Sequence, residues 1–459
     1  MATRSSRVSR RRILKAAGAA AVGGSAALLG GDVVAAQGQA PAILTNTQAG
    51  RRFKAFVKYN TAELPNVVDV TARALTGNQV LLRVEASQTC YTNVDQVLIP
   101  GIPTNQAVIV GHGGVGIVEA IGPQVISTRV GDRVILNLHA ACGRCYNCLR
   151  MRSDKCRAGT VNNVPIADMG NTPVFGRTGT MSELAITGEE YVTPIFTDVS
   201  SVEISMLTCV GGCGLGMTMT NAPVEPGSDV VIFGAGPVGL SSVMGAKVKG
   251  ASKIVVVEPI PYRRDLALKL GATDVVDPNQ FKDRAALPNA PAAGDRFKDA
   301  LVDHLREMTI YKYADRIWSG GGRNGPDHVI EAVGGDRLKP RRMPQGPDPT
   351  GVTVLNQCWE LGSSVGSIVT CSVGHPQNAF VSLPASQWAD GAKHHWPGTG
   401  GGTNDRRDSQ RYCRLMETGQ INMKAIASRT YPLAQTREAY QVCADREVVA
   451  TIVTPNART

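Results

Sequence analysis

Between about Phe53 and Ile195 the chain alternates apolar and polar residues in short runs, punctuated by glycine and proline. The clearest runs are Val80 to Val84, Val108 to Val110, Gly116 to Ala120 and Asp132 to Leu136. A period of two between turn residues predicts half-buried strands, here of a partly open β-barrel-like domain. From about Pro226 the pattern changes. Asp229 to Phe233 is a near-continuous apolar run, as a strand buried on both faces requires. A helix from Gly239 to Lys249 closed by Gly250 follows, then a second such strand, Lys253 to Val257. Tyr262 to Leu270 reads as a helix capped by Gly271, and Asp274 to Val276 as the next strand. This strand–helix alternation predicts a parallel sheet with helices on both faces. Asp327 to Val333 is a later parallel strand, after a polar, Ala/Pro-rich stretch near 282–325 that reads as an insertion. From Leu415 to Pro455 the pattern gives an amphipathic helix, a turn at Pro432, another helix and the strand Val448 to Thr454.

Composition adds little to this. With 459 residues, 43% apolar and 19% charged, the chain has room for two or three domains. The net charge of +10 is concentrated at the start, where Arg4, Arg7, Arg10, Arg11, Arg12 and Lys15 face only Asp32 within residues 1–36. No basic stripe interleaved with aromatics occurs elsewhere, which excludes a nucleic-acid partner. Ser9 to Lys15 resembles the twin-arginine export motif, and the Ala/Gly stretch Ala16 to Gly31 follows it. Val34-Ala35-Ala36 offers a cleavage site, so Gln37 is the expected mature start. The expectation is a 1–36 signal peptide, the export machinery as a partner, and a periplasmic or extracellular location. The stretch is too short and glycine-rich to span a bilayer, so no stable membrane insertion is expected.

Two motifs carry chemistry. Cys142, Cys145, Cys148 and Cys156 are spaced C-x2-C-x2-C-x7-C, as four thiolates closing a tetrahedral structural zinc site would be. The alternative in an exported protein is a disulfide or redox cluster. Gly234-Ala-Gly236-Pro237-Val238-Gly239 then joins a strand to a helix. Its first glycine permits the turn, the second a close approach of pyrophosphate, and the third tight packing of helix on strand. Glu258 at the end of the next strand suits ribose hydroxyls and repels a 2′-phosphate, which favours NAD over NADP.

Together these motifs resemble the zinc-dependent medium-chain alcohol dehydrogenases over about residues 50 to 459. The resemblance implies an α/β chain: a GroES-like β-rich catalytic domain at 45–211 with the structural zinc loop, and a Rossmann doubly wound parallel sheet at 212–380. Residues 381–459 would then return to the catalytic domain. It also implies a second, catalytic zinc on Cys90, His112 and Cys209, so two Zn2+ per chain with NAD. Thr92 matches the residue that hydrogen-bonds the alcohol, and Asp95 stands where many members carry a relay histidine. Cys213 falls near the expected nicotinamide, and Arg263 would flank the adenosine end. His139, beside the cysteine loop, reads as a packing or surface residue. A small alcohol or aldehyde substrate and a homo-oligomer, dimer or tetramer, complete the picture.

Three departures from the family pattern are visible. Asn93 replaces the Asp that orients the zinc histidine, though its amide oxygen is expected to accept from the ring. Gly113 replaces the Glu of Gly-His-Glu. The basic residues that grip pyrophosphate are missing, with Tyr91 and Ala450 in their places. An exported zinc-stabilised nucleotide-binding protein with weak or no turnover is therefore the alternative to an enzyme. Within the enzyme reading, a formaldehyde dehydrogenase or dismutase is a narrower rival.

Overall fold

The structure is a computed structural model. It describes residues 49–158, 163–176, 178–281, 299–309, 325–335, 352–363, 366–370, 375, 379–381, 394–397 and 405–456. The expected signal peptide 1–36 lies outside the described residues, as do most of 282–325 and the glycine-rich Gly398 to Gly402, the two candidate covers for a bound dinucleotide.

The first half is all strand and turn. Strands β1 (Arg52–Lys58), β2 (Asn66–Ala72), β4 (Ala107–Ile109), β7 (Ala167–Met169) and β8 (Thr172–Phe175) close a barrel in the order β1-β2-β7-β8-β4. The long β3 (Gln79–Gln88) lies in a second sheet with β5 (Gly114–Ile121), β6 (Arg133–Leu136), β9 (Leu184–Gly188) and β10 (Val192–Pro194). Register shifts between Leu81 and Leu82 and between Val84 and Ala86 let β3 bend along β5. Inward residues of both sheets, including Phe53, Val57, Leu81, Ala120 and Leu184, share one apolar cluster.

The second half is a six-stranded parallel sheet: β11 (Asp229–Phe233), β12 (Lys253–Val257), β13 (Asp274–Val276), β14 (His328–Glu331), β15 (Ser367–Thr370) and β16 (His394–Pro397). Its order, β13-β12-β11-β14-β15-β16, is that of the dinucleotide-binding doubly wound sheet. The alternating side chains divide between two faces. Val230, Ile232, Ile254 and Val256 pack with the helices Pro237–Val248 and Pro261–Leu270. Val231, Phe233, Val255 and Val257 pack with Leu301, Val302, Leu305, Cys358 and Leu361 on the opposite face. The sheet is thus buried on both sides, which is why its strands read as unbroken apolar runs.

Three element expectations need correction. The first nucleotide-domain helix begins at Pro237, not Gly239, because proline is pre-set for the first helical position. The 282–325 stretch is not wholly an insertion. Within it, Ala300–Met308 is a helix capped by Asp299 and buried through Leu301, Val302 and Leu305, so it belongs to the sheet's own cover. The amphipathic helix near the tail is Asp405–Glu417, and an unforeseen strand β17 (Ala427–Tyr431) follows it.

The tail returns to the first half. β18 (Ala450–Val453) pairs antiparallel with the end of β3, Ile452 opposite Gln88, and β17 lies parallel beside β18. Among the described residues no single helix is long and apolar enough to cross a membrane. One bent pair, Ser201–Thr208 with Val210–Asn221, passes that test by length and composition, but most of its residues are buried in the core.

Candidate active site and metal centres

Three chain segments bring Cys90, His112 and Cys209 together. Cys90 follows β3 and opens the 3-10 turn Tyr91–Asn93. His112 lies in the link from β4 to β5, between Gly111 at φ +100° and Gly113 at φ +135°. Cys209 sits where the turn Met206–Thr208 meets the helix Val210–Gly216. Cys209 Sγ is 3.9 Å from Cys90 Sγ and 3.5 Å from His112 Nε2, and the three ligand atoms lie within 4.8 Å of one another. A tetrahedral zinc with Zn–S of about 2.3 Å and Zn–N of about 2.05 Å needs S···S near ~3.8 Å and S···N near ~3.6 Å. The residues fit that ion. The Thr92 hydroxyl lies beside the same atoms, donating to Cys90 Sγ at 3.2 Å and standing 3.4 Å from His112 Nε2. A hydrogen bond from the Cys209 thiol, helped by His112 and Thr92, outweighs burial and holds the Cys90 thiol well below its ordinary range.

The surroundings of His112 differ from expectation. Asn93 Oδ1 is buried and has no hydrogen-bond partner among the described residues, so it does not accept from the imidazole. The histidine turn is held instead through the Gly113 carbonyl, which accepts from Thr180 and Ser87 hydroxyls at 3.0 and 3.3 Å. Gly113 has no room for a side chain. A Cβ there would stand 2.5 Å from Thr208 Oγ1. Asp95 Oδ1 accepts the Gln96 amide at 2.9 Å. His139 is half-buried, and burial pushes its imidazole down to about 4.

The four-cysteine loop forms a second cluster, again with all ligand atoms within 4.8 Å. Cys142 and Cys148 sulfurs are 4.0 Å apart, and Cys145 and Cys156 sulfurs 3.8 Å. These separations suit thiolates around one zinc and are nearly twice the ~2.05 Å of a disulfide bond. All four cysteines are free thiols. The Cys148 backbone amide, more than any other group, draws the Cys145 thiol down to about 7. Asn147 Nδ2 bonding the Lys155 carbonyl at 2.7 Å and a two-pronged Arg152–Asp154 pair at 2.8 and 2.7 Å brace the loop.

The glycine motif fits a dinucleotide. Gly234 takes φ +93°, and a Cβ on Gly236 would meet nothing within 4 Å, which leaves that backbone open to a ligand. A Cβ on Gly239 would fall 1.8 Å from the Gly234 carbonyl. The buried Glu258 carboxylate accepts the amides of Ala235 at 2.7 Å and Ile260 at 3.0 Å, which ties it to the glycine turn. Arg263 is placed differently from expectation. Its guanidinium donates to the Tyr262 hydroxyl at 3.1 Å and the Val448 carbonyl at 3.3 Å, fastening the helix to the tail. Arg264 instead reaches the Glu258 carbonyl at 2.7 Å and Asp277 at 3.1 Å, a residue the sequence reading passed over.

Glycines also lock the two halves of the site. The helix Val210–Gly216 packs so closely on Pro237–Val248 that a Cβ on Gly214 would lie 2.2 Å from the Val238 carbonyl. Ser242 Oγ donates to the Gly214 carbonyl at 3.0 Å. Cys209, at the start of one helix, is thereby fixed against the nucleotide turn at the start of the other. Cys213, one turn on, is buried in the same helix, its amide bonded to the Cys209 carbonyl at 2.8 Å.

The alcohol dehydrogenase GroES-like domain model matches residues 76–197, and the zinc-binding dehydrogenase model residues 237–340. A geraniol dehydrogenase from Castellaniella defragrans is 33% identical over 231 residues, 48% of this chain. That match spans only 61% of the relative's own length. An S-(hydroxymethyl)glutathione dehydrogenase from Haemophilus influenzae is 25% identical over 84% of this chain and 93% of its own. An NDMA-dependent alcohol dehydrogenase from Amycolatopsis methanolica is 24% identical over 83% and 92%. Among solved structures, an alcohol dehydrogenase zinc-binding domain protein from Burkholderia ambifaria shares the fold. Its TM-score is 0.71 at 22% identity, over 88% of this chain and 99% of its own.

Proposed function

We propose that this chain, for which the matches support the zinc-binding alcohol dehydrogenase family, is a zinc-dependent oxidoreductase. It would pass hydride between an alcohol or aldehyde hydrate and NAD. One observation carries the reading: Cys90, His112 and Cys209 converge at tetrahedral-zinc spacing with the Thr92 hydroxyl beside them. When bound, zinc supplies a Lewis acid for the alcohol oxygen, and NAD supplies the hydride acceptor.

The chain's own residues do the rest. Two thiolates and one imidazole leave a fourth position for substrate. Thr92 Oγ1, between Cys90 and His112, would accept a hydrogen bond from an alcohol hydroxyl in that position while its own proton stays directed at Cys90 Sγ. Cys90 itself is buried in an apolar cluster with Ala86, Val115 and Val210. Each Glu258 oxygen that accepts an amide keeps a lone pair for a ribose hydroxyl, and its charge disfavours a 2′-phosphate.

The finer proposal joins the cofactor to the N-terminal segment. A twin-arginine route carries folded proteins, and free NAD is scarce outside the cytoplasm. NAD bound before export and reoxidised in place by a second substrate or an acceptor would let an exported enzyme work. The relative whose name makes it NDMA-dependent motivates an acceptor-linked assay. The missing pyrophosphate bases weaken the grip this requires. The contrasting reading, a zinc-stabilised nucleotide-binding protein with little turnover, is favoured by one observation, the Asn93 oxygen that does not reach His112.

One experiment separates these readings. Mature protein is denatured and its released NAD measured, beside alcohol-dependent reduction of an artificial acceptor. Near-stoichiometric NAD with acceptor reduction supports tight binding. Turnover only with millimolar added NAD removes the tight-binding reading, and zinc-loaded protein without turnover removes the enzyme.

A further inference from the structure

The four-cysteine loop carries an exposed apolar tip that its cysteines do not use. The short helix Tyr146–Leu149 turns Cys148 inward and leaves Tyr146 and Leu149 outside, 68% and 70% exposed. The chain then reverses at Met151, which is 47% exposed and takes φ +60°, its amide bonded to the Cys148 carbonyl at 3.0 Å. A left-handed residue just past a helix end is usually glycine, and a side chain there is strained. Single exposed apolar residues are ordinary, but three within six positions, one of them on a strained backbone, point to a surface that something covers.

The same segment is basic. From Cys142 to Arg157 it carries Arg144, Arg150, Arg152, Lys155 and Arg157 against Asp154 alone. Asp154 is buried, and its carboxylate is taken up by Arg152 at 2.7 Å and Lys155 at 3.8 Å. Arg144, Arg150 and Arg157 are exposed, and the Arg150 guanidinium stands 3.7 Å above the Tyr146 ring. The Cys145 and Cys156 sulfurs, 3.8 Å apart, fold the segment back on itself, so their neighbours Arg144 and Arg157 flank one compact knob.

The occupant follows from charge and shape. Two-fold packing of this patch on a second copy would set like charges against each other. A protein partner would need an acidic rim around an apolar recess. An anionic bilayer presents phosphates over an apolar interior at every point of its surface.

We propose that this tip is a docking site for an anionic lipid surface, with Tyr146, Leu149 and Met151 entering the headgroup boundary while Arg144, Arg150 and Arg157 meet lipid phosphates. The attachment is reversible, because a few side chains and charges fall far short of an inserted helix. It involves none of Cys90, His112 and Cys209, and stands whether or not that site turns over an alcohol.

The test uses the full mature chain, so that the basic residues within 1–36 do not contribute. It is sedimented with vesicles of equal parts phosphatidylglycerol and phosphatidylcholine, and with vesicles of phosphatidylcholine alone. Wild type should bind the first, release on raised salt, and leave the second unbound. Leu149→Ser should weaken binding about tenfold, and the double variant Arg144→Gln, Arg150→Gln at least about tenfold. Met151→Gly relaxes the left-handed backbone, so it should keep the melting temperature at or above that of wild type while lowering binding about threefold. No binding to the anionic vesicles, equal binding to the neutral ones, or binding that all three variants retain would overturn the proposal. Self-association of wild type that Leu149→Ser abolishes, with vesicle binding unchanged, would give the patch to a second copy instead.

Discussion

A Cβ at Gly113 would stand 2.5 Å from Thr208 Oγ1 and 2.8 Å from Thr208 Cβ, on a backbone at φ +135°. The glutamate expected after the histidine is therefore excluded by the chain's own packing, with Thr208 in its space. Gly113→Glu alone should destabilise the fold by about 1–3 kcal/mol, read as a lower melting temperature. Adding Thr208→Gly should recover part of that loss; no recovery would mean the two positions are not coupled. His139 gives a pH prediction. Burial holds it near 4 in the folded chain, while the unfolded chain titrates near ~6.5. Stability is therefore full above the unfolded value and falls as the pH drops from about 6.5 toward 4, where the unfolded state binds the extra proton. Melting curves of His139→Gln should show a shallower fall across that window than wild type, and an identical slope would refute the assignment. The four loop cysteines and the three glycines of the Gly234 turn were legible in the sequence, because metal and pyrophosphate demand those residue types at those spacings; Cys90, His112 and Cys209 carry no such spacing and came from the family resemblance. Thr208 and Thr180 were not legible. Each acts through a contact with a distant segment at Gly113, and a lone threonine carries no spacing signal.

The strand–turn–helix at Gly234 to Gly239 was readable as an element because each glycine answers a separate geometric demand. Its third glycine gives the sharpest test. A methyl group at Gly239 would fall 1.8 Å from the Gly234 carbonyl, so Gly239→Ala must lift the helix off the turn. NAD bound to that variant should fall at least about tenfold, while the metal on Cys90, His112 and Cys209 stays, because none of the three ligands comes from the helix Pro237–Val248. Unchanged NAD binding would place the dinucleotide elsewhere. The elements that escaped the sequence reading did so for physical reasons. β17 exposes Ser428, Arg429 and Thr430 and so lacks an apolar alternation. The helix Ala300–Met308 is amphipathic, but its signal was diluted by the Ala/Pro-rich residues before it.

At the scale of the whole molecule, the site exists only when three distant segments are held together. β18 pairs with the end of β3 just before Cys90, and the Gly214 contact fixes Cys209 against the nucleotide turn. The doubly wound sheet and the barrel were legible as textures, since burial on both faces and burial on one face leave different periods. The route by which the tail re-enters the first half was carried by resemblance, because no local pattern encodes which distant strand an apolar run will join. The central claim is a catalytic metal built from Cys90, His112 and Cys209 beside a separate structural one. Metal analysis of purified mature protein tests it most directly. The account predicts about two zinc ions per chain in wild type and about one in a folded, inactive Cys209→Ser variant; a single zinc in active wild-type protein, or activity that survives Cys209→Ser, would contradict it.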